Sequence, residues 1–358
     1  MKILYAYDKM PTTYQAYLLQ LLEVLKRDVD VEVLSYNSDA NVEHTVTSSD
    51  LSFRLHRLAY RAKLSKFPYL DIKIMSEYDI VHLQHSYLFP KIEPFINSNI
   101  KRPKIVITLR GGDTYIRPWL YKNWEFFFKS QSHCIDAFIT VSEHQKNYLQ
   151  RWGVPEYKIH VIPVSIGPKT FALPKYPSQG TIKIVSAHRM CWEKNIEGNL
   201  RTIKILKERG MEIHYDIFGD GRDKDQLYFL VDKYDLGKEV NIFGKIENRA
   251  FKNRLAKYDI FLQLSHSEAF GASVIEAQSM GVPAIISNAG GLPETILENV
   301  SGYCVDSYRP EQAAEHIIDL VTNKEKFLSF SKAAIEHSNA NFTTAQEAKR
   351  LINLYKSL

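Results

Sequence analysis

The chain has 358 residues, 45% of them hydrophobic and 24% charged, with a formal net charge of +5. A chain of this size can bury a large core and fits two domains better than one. The charge excess is mild and lacks the dense basic stripe of nucleic-acid-binding proteins, so we expect no nucleic-acid partner. Only three cysteines occur, far apart in the chain and without metal-ligand spacing, and this usage fits a reducing compartment best; they are Cys134, Cys191 and Cys304.

The amino terminus starts with a short apolar run that Asp8 and Lys9 interrupt before a signal-peptide core can develop. No stretch approaches the roughly 20 apolar residues of a membrane-spanning helix. These patterns predict a cytoplasmic protein, with the inner face of the membrane as a further location if the chain contacts lipid.

From the amino terminus onward, apolar β-branched runs alternate with amphipathic helical patterns, which is typical of a parallel sheet with crossover helices. Between the first two strands, residues 14–27 carry leucines at helical spacing and predict a helix. The predicted strands of the first half are KILYAY, VEVLSY, DIVHLQ, KIVITL, AFITVS and KIHVIPV.

After Pro163, residues 167–180 are polar, rich in Gly, Pro, Ser and Lys, and without periodicity, which predicts an interdomain linker. The alternation then resumes, and a final amphipathic helix is predicted over residues 343–358. The predicted strands of the second half are TIKIVSAH, EIHYDIFG, VNIFGKI, DIFLQLS, PAIISNA and GYCVD.

These elements predict an α/β fold with two Rossmann-like domains, whose parallel sheets face an interdomain cleft. Residues 1–167 are expected to form the first domain and residues 168–342 the second, with helix 343–358 packing back on the first. Ligands of such folds bind outside the carboxyl ends of the strands.

The most informative segment runs from residue 265 to residue 296. It places Glu268 in a loop after a predicted strand, where a ligand of a parallel sheet is expected. Gly271 allows close backbone approach, and the helix that begins there offers free N–H groups that attract phosphate. Glu276 lies between one and two turns into that helix and can accept hydrogen bonds from vicinal hydroxyls such as those of ribose.

This segment resembles the retaining glycosyltransferases of family four, whose fold is called GT-B. Its two glutamates stand eight positions apart, as in the family signature, and the accompanying motifs follow in the family's order. They are Phe270-Gly271, Glu276-Ala277, Gly281-Val282-Pro283, Gly290-Gly291 with Glu294, HRMCWEKN with Arg189 and Lys194, IFGDG at 217–221 and VNIFGKI at 240–246.

The resemblance implies that the second domain binds a nucleotide-diphosphate sugar and that the first domain binds the acceptor. Arg189 and Lys194 would hold the donor diphosphate and stabilise the charge that develops on it. Glu268, the third residue we assign to catalysis, would position or polarise hydroxyls of the donor sugar, and a role as nucleophile is not favoured. The residues with expected donor contacts are Phe270, Gly271, Ala272, Ser273, Glu276, Gly219, Lys245 and Ile246.

No Asp-x-Asp stands in a strand-end context that would suit a metal ion. The resemblance likewise implies an enzyme that needs neither a metal nor a cofactor, with the nucleotide sugar as its substrate.

In the first half, DIVHLQHSY and VITLRGGD look like the family's strands on the acceptor side. Arg110 stands where the family often has a histidine, and residues 10–13, Met-Pro-Thr-Thr, replace its glycine-rich loop. His82 and His85 both also fit as histidines with satisfied hydrogen bonds at a strand end, and for His82 this interpretation is favoured over a functional role. The acceptor-side candidates are His85, Arg110, Gly111 and Asp113.

Residues 51–75 combine six basic residues with leucines and aromatic residues against the single acid Asp71. This composition suits a helix on an anionic membrane surface, which would make this a peripheral membrane protein, and it suits a solvated basic face equally well. The aromatic residues between 119 and 128 similarly suit either a lipid-linked acceptor or the core.

The resemblance implies a retaining hexosyltransferase-like enzyme that moves a sugar from a nucleotide-diphosphate sugar to a glycan, lipid-linked or small-molecule acceptor, and we expect it to act in bacterial surface polysaccharide or glycolipid synthesis. One alternative is a GT-B sugar-nucleotide epimerase, which consumes the donor without an acceptor. Another is a non-catalytic subunit that binds sugar nucleotides. The donor base and sugar, the acceptor and the oligomeric state stay open at this point.

Overall fold

The computed structural model contains two compact units, each built on a parallel sheet. It describes residues 1–9, 16–36, 42–46, 51–67, 69–96 and 100–358. The first unit comprises Met1–Pro163 and Glu347–Leu358, and the second comprises Val164–Gln346. The loop at residues 10–13, noted above, lies outside the described residues.

The first unit has a seven-stranded sheet in the order β3-β2-β1-β4-β5-β6-β7, with every neighbouring pair parallel. The register places Ile3 of β1 opposite Ile80 of the central strand, β4. The strands are β1 (Lys2–Tyr7), β2 (Asp30–Ser35), β3 (His44–Thr45), β4 (Ile80–Leu83), β5 (Lys104–Thr108), β6 (Ala137–Thr140) and β7 (Ile159–Val161).

Helices cover both faces of this sheet, because alternate residues of a strand point to opposite sides. In β1, Ile3, Tyr5 and Tyr7 enter one core cluster, while Leu4 and Ala6 enter the other. The helices described up to residue 150 are α1 (Ala16–Asp28), α2 (Leu51–Arg61), α3 (Leu70–Met75), α4 (Glu93–Ile96), α5 (Gly112–Tyr115), α6 (Arg117–Leu120), α7 (Lys122–Phe126) and α8 (Glu143–Gln150).

The second unit has a six-stranded parallel sheet in the order β10-β9-β8-β11-β12-β13. Its strands are β8 (Ile182–Ala187), β9 (Ile213–Phe218), β10 (Val240–Gly244), β11 (Ile260–Gln263), β12 (Ala284–Ser287) and β13 (Gly302–Val305). Its helices are α9 (Ile196–Glu208), α10 (Lys224–Lys233), α11 (Asn248–Leu255), α12 (Ala272–Ser279), α13 (Pro310–Thr322) and α14 (Lys324–Asn341).

The final helix, α15 (Thr344–Ser357), packs on the first sheet. The hydroxyl groups of Tyr355 and Tyr5 lie 2.5 Å apart in the buried interior. The chain therefore returns to the first unit after the second unit is complete.

The prediction of two parallel-sheet Rossmann-like domains is confirmed, and each of the twelve predicted strands is present. β3 was not predicted, because a two-residue edge strand has no periodic pattern in the sequence. The helix predicted from residue 14 is described from Ala16.

The segment predicted as a linker, residues 167–180, has no regular secondary structure and lies within the second unit. Thr170 N donates to Asn339 Oδ1 at 2.9 Å, and Ser178 N donates to Asp259 Oδ1 at 2.8 Å. The chain passes from the first unit to the second just ahead of this segment, at Pro163 and Val164.

Candidate functional site

The loop after β11 and the start of α12 form the centre of the candidate site. Gly271 precedes α12 with φ +111°, a conformation that favours glycine, and a Cβ added there would lie 2.7 Å from Leu292 Cδ2 and would have to displace that side chain. The first N–H groups of a helix have no intrahelical acceptor, so Ala272 and Ser273 present backbone donors at this point.

Lys194 and Glu268 form an ion pair in the loops that follow β8 and β11. Lys194 Nζ donates to Glu268 Oε2, and the lysine is 7% exposed. Lys194 ends a short helical turn, Trp192–Lys194, that precedes α9. A buried charge is strongly unfavourable without a partner, so each of these residues holds the other in place.

Two buried amides support this ion pair. Gln263 Nε2 donates to Glu268 Oε2 at 2.8 Å. Asn199 Nδ2 donates to the carbonyl oxygen of Lys194 at 3.0 Å, and Asn199 Oδ1 accepts from Leu264 N at 3.0 Å. Neither amide was predicted from the sequence, although the polar Gln263 in an otherwise apolar strand was a usable signal.

Arg189 lies on the same loop as Lys194, but its side chain is exposed. Burial raises the pKa of Glu193 in this loop, whereas a hydrogen bond from Cys191 and the charges of Arg189 and Arg222 lower it, with a net decrease. Two guanidinium groups therefore act electrostatically on the loop that carries Lys194.

The loop after β8 also packs against the end of β9. A Cβ added to Gly219 would lie 1.9 Å from the carbonyl oxygen of His188, and Gly219 N donates to Gly244 O at 2.7 Å. Gly219 therefore permits the close packing of the loops after three strands. Burial, and then the charge of Lys194, lower the pKa of His188 to about 4, so the imidazole is neutral at pH 7.

Glu276 lies in α12, is 7% exposed, and contacts α11. Asn248 Nδ2 donates to Glu276 Oε1 at 2.7 Å, and Lys252 Nζ lies 3.7 Å from the same oxygen. Burial raises the pKa of the Glu276 carboxyl, and Lys252 and Asn248 oppose that rise. The described residues offer Oε2 no hydrogen-bond donor, which leaves that oxygen for a ligand. Neither Asn248 nor Lys252 carried a sequence signal.

The remaining predicted donor contacts have different surroundings. Lys245 is exposed, with its Nζ 3.7 Å from Asp220 Oδ2. Ile246 packs, partly buried, against a core cluster of the second unit. Phe270 is buried, and its ring meets the Phe342 ring edge-on at 5.5 Å, so its side chain packs in the interior of the second unit.

The acceptor-side candidates lie together in the loops after β4 and β5. The Asp113 carboxylate accepts hydrogen bonds from Arg110 N at 3.0 Å, Gly111 N at 2.9 Å and Ser86 Oγ. Arg110 Nε donates to the carbonyl oxygen of Gln84 at 3.2 Å. Asp113 thus closes its own loop and ties it to the loop after β4.

Two histidines near this cluster have different environments. The His85 ring stacks on Tyr87 with centroids 4.9 Å apart. His82 is buried, and its ring nitrogens lie 2.7 Å from Tyr355 OH and 2.7 Å from Thr108 Oγ1. Burial, and then a nearby guanidinium, lower the pKa of both histidines to about 3. His82 is therefore a core histidine with both nitrogens paired.

The aromatic residues between 119 and 128 divide between core and surface. Trp124, Phe127 and Phe128 are buried, whereas Trp119 and Phe126 are 67% and 58% exposed. Across the part of the chain that the structure describes, no group of three or more His, Cys, Asp or Glu residues is placed to hold a metal ion. Over the same residues, no helix combines the length and apolar character needed to span a bilayer.

Two family models match adjoining parts of the chain. The model described as Glycosyltransferase Family 4 matches residues 15–168, and the model described as Glycosyl transferases group 1 matches residues 170–337. Together they cover nearly the whole of both units.

Individual relatives are similar at lower identity. One subunit of the phosphatidylinositol N-acetylglucosaminyltransferase of Homo sapiens is 28% identical over 165 residues, which are 46% of this chain and 34% of the human protein. The chain thus spans about a third of that relative. The uncharacterized glycosyltransferase MJ1178 of Methanocaldococcus jannaschii is 24% identical over 330 residues, 88% of each chain.

Among solved structures, Alr3699/HepE of Anabaena in complex with UDP and glucose superposes with a TM-score of 0.78 over 100% of both chains, at 16% sequence identity. At this identity the likeness is one of fold.

Proposed function

We propose that this chain, which belongs to the group 1 glycosyltransferases of family four and has the GT-B fold, transfers a sugar from a nucleotide-diphosphate sugar to an acceptor hydroxyl with retention of configuration. The observation that carries the proposal is the Lys194–Glu268 ion pair beside the start of α12. A buried ammonium and unpaired helix N–H groups suit a diphosphate leaving group, because its negative charge grows in the transition state.

In this reaction the acceptor oxygen bonds to the anomeric carbon as the bond from that carbon to the phosphate oxygen breaks. Lys194 and Arg189 stabilise the departing diphosphate, Arg189 through its forked guanidinium. The acceptor proton passes to the phosphate oxygen that leaves, so attack from the same face retains configuration. These cations supply the charge that the leaving group needs, and we propose that the reaction is independent of metal.

The carboxylates bind the rest of the donor. Glu268 orients hydroxyl groups of the donor sugar, and the backbone N–H groups of Ala272 and Ser273 contact phosphate oxygens. Glu276 Oε2 accepts a hydrogen bond from a ribose hydroxyl. Lys245 and Ile246 follow β10, and their backbone contacts the base.

The comparisons indicate which substrates to test first. The Anabaena structure holds UDP and glucose, and the human relative is named for N-acetylglucosamine and phosphatidylinositol. We therefore propose UDP-glucose and UDP-N-acetylglucosamine as the first donors. As first acceptors we propose phosphatidylinositol and alkyl glycosides, which represent lipid and glycan acceptors.

The test is release of UDP from each donor with and without acceptor, with the product identified by mass spectrometry and its anomeric configuration by NMR. Acceptor-dependent release and a product with the donor's configuration support the proposal. An epimeric nucleotide sugar formed from donor alone would show an epimerase instead. Donor binding without turnover on any acceptor would favour a non-catalytic subunit.

A further inference from the structure

Helix α2 presents leucines to the solvent on the outer surface of the first unit. Leu51, Leu55 and Leu58 follow the i, i+4, i+7 spacing of one helix face and are 69%, 56% and 58% exposed. Leu64, just beyond the helix, is 83% exposed. A stripe of exposed leucines is unfavourable in water and marks a surface that another phase or molecule covers.

The opposite side of α2 contacts the chain segment that follows the helix. His56 Nε2 lies 3.3 Å from Ser65 Oγ, and the Arg57 guanidinium lies 5.8 Å from the centre of the Tyr69 ring. Lys63, with φ +61°, ends the helical turn in the left-handed conformation. The orientation of the leucine face is therefore set by contacts on the inner side of the helix.

Positive charge lies beside the exposed leucines. Arg54 and Arg61 are seven residues apart and share one flank of the leucine stripe. Arg54, Arg57, Arg61, Lys63 and Lys66 are all exposed. Residues 51–70 contain no aspartate or glutamate, and Asp71 is buried and accepts a hydrogen bond from Tyr36 OH at 2.9 Å.

We propose that α2 and residues 62–66 dock this protein on an anionic lipid bilayer. The leucines enter the boundary between headgroups and acyl chains, and the basic residues contact the phosphate groups of acidic lipids. Charge complementarity selects this occupant, because a face that is both apolar and uniformly basic matches the two chemistries of a bilayer surface. This inference is independent of the transfer reaction.

Flotation with vesicles tests the proposal on the purified full chain. The protein should bind vesicles of phosphatidylcholine mixed with phosphatidylglycerol and bind vesicles of phosphatidylcholine alone far less. Added salt should weaken the binding, because exposed charges are screened. Absence of binding to the anionic vesicles would overturn the proposal.

Matched variants separate this surface from the rest of the protein. Changing Arg54, Arg61 and Lys66 to Gln should lower partitioning about a hundredfold, since each basic residue near an anionic surface contributes about fivefold. Changing Leu51, Leu55 and Leu58 to Ser should lower it at least about tenfold. The controls replace equally exposed residues of the second unit, with Gln at Lys233, Lys238 and Arg249, and with Ser at Phe171, Leu173 and Phe229.

Two outcomes contradict the proposal in different ways. Equal binding by the α2 variants and their controls would place the membrane contact elsewhere. If sedimentation velocity shows a dimer that the leucine variant loses, the stripe is a contact between copies of this chain. Donor binding is measured by thermal shift in every variant. Binding equal to that of the wild type shows that the variant is folded.

A second inference concerns Gln263, at the end of β11. Its side chain is 1% exposed and forms bonds at both ends of the amide. Nε2 donates to Glu268 Oε2 at 2.8 Å and to Ser265 Oγ at 3.2 Å, and Oε1 accepts from Ser273 Oγ at 3.3 Å. One buried amide therefore links the carboxylate of the ion pair to the first turn of α12.

The geometry points to Gln263 as a positioning residue for Glu268 and for the start of α12. This inference rests on the proposed function. Without the Gln263 amide, Lys194 is the remaining side-chain partner of the Glu268 carboxylate, so that carboxylate can rotate. The start of α12 also loses its hydrogen bond to β11. Because a positioning residue acts on the reacting geometry, its loss should lower kcat more than it raises the donor KM.

Gln278 provides a matched control in the same unit. It is likewise buried and bonded at both ends, with Nε2 donating to Thr295 O at 2.5 Å and Oε1 accepting from Ser301 Oγ at 2.8 Å. Both glutamines are replaced by Met, which has similar volume. Gln263→Met should lower kcat at least about tenfold with a donor KM within about twofold of wild type, whereas Gln278→Met should keep kcat at a similar loss of thermal stability.

Transfer by the wild-type protein is measured first. If the wild type shows no transfer, the proposed function fails. If the wild type transfers sugar and Gln263→Met does so at the same kcat, only the assignment of Gln263 fails. A fall in kcat that Gln278→Met shares would mean that loss of stability, and not position, explains the effect.

Discussion

Gly291 N donates a hydrogen bond to the carbonyl oxygen of Glu268 at 2.9 Å, which joins the loop after β12 to the loop after β11. The preceding residue, Gly290, approaches the same oxygen so closely that a Cβ there would lie 1.9 Å from it. The glycine pair therefore sets the position of the Glu268 backbone. A side chain at Gly290 would displace the Glu268 backbone and with it the carboxylate that pairs with Lys194.

We predict that Gly290→Ala both destabilises the second unit and impairs transfer. Gly290 has φ +59°, which costs alanine about 1 kcal/mol, and the contact with Glu268 adds backbone displacement to that cost. The total loss should reach about 3 kcal/mol in urea unfolding. The control is Gly210→Ala, where φ is +76° and the added Cβ meets nothing within 4 Å. Equal losses in the two variants would contradict this role of Gly290.

Glu276→Gln should weaken binding of the nucleotide. A hydrogen bond from a ribose hydroxyl to a carboxylate contributes about 1.5–3 kcal/mol, so the affinity for UDP should fall on the order of tenfold or more. Isothermal titration calorimetry measures this directly. Glu239→Gln, which removes the charge of a carboxylate that pairs with Lys207 in the same unit, should leave the affinity unchanged. Unaltered UDP binding by Glu276→Gln would exclude the ribose contact.

Asp113→Ala should lower the free energy of unfolding, because Asp113 holds its own loop together. The carboxylate accepts bonds from two backbone N–H groups and from Ser86 Oγ, and loss of these bonds should cost about 2 kcal/mol. Urea unfolding of the first unit is the measurement. A variant that is as stable as wild type but fails to transfer would show that Asp113 instead contacts the acceptor.

His82 should make the first unit sensitive to acid. Burial lowers its pKa to about 3, below the ordinary value of 6.5, so the unfolded chain binds the proton first. The free energy of unfolding that depends on neutral His82 is fully present above pH 6.5. It falls by up to about 1.4 kcal/mol per pH unit as the pH drops toward 3. His85 acts in the same direction.

Two variants isolate the contribution of His82. His82→Gln should reduce the slope of unfolding free energy against pH by about one proton. Thr108→Val removes the hydroxyl that pairs with His82 Nε2 but keeps the histidine, and it should retain the wild-type slope. Identical slopes in wild type and His82→Gln would refute this assignment.

The sequence predicted the strands and the ion-pair residues for different reasons. Strand runs such as KIVITL carry their own signal, because parallel strands buried on both faces are continuously apolar. Lys194 and Glu268 belong to ordered motifs whose resemblance to a known family identified them. The edge strand β3 has only two residues and offered neither kind of evidence.

The partners of these residues could not be predicted in the same way. Gln263 and Asn199 bond to Glu268 and Lys194 across backbone turns that the sequence does not specify. Asn248 meets Glu276 only when α11 packs beside α12. Asp113 illustrates the converse case. Its position after a strand suggested a ligand contact, yet its carboxylate bonds to its own loop, which depends on backbone turns that no sequence spacing specifies.

The proposed transfer chemistry is tested most sharply by the turnover number of Lys194→Ala beside that of Lys207→Ala. Both changes remove a lysine from an ion pair in the second unit, but Lys207 pairs with Glu239 and Asp235, away from the loop that holds Glu268. We predict that Lys194→Ala loses at least about a hundredfold in kcat while circular dichroism still shows a folded chain, and that Lys207→Ala stays near wild type. A folded Lys194→Ala variant with turnover within about twofold of wild type would contradict the role of this lysine in holding the departing diphosphate.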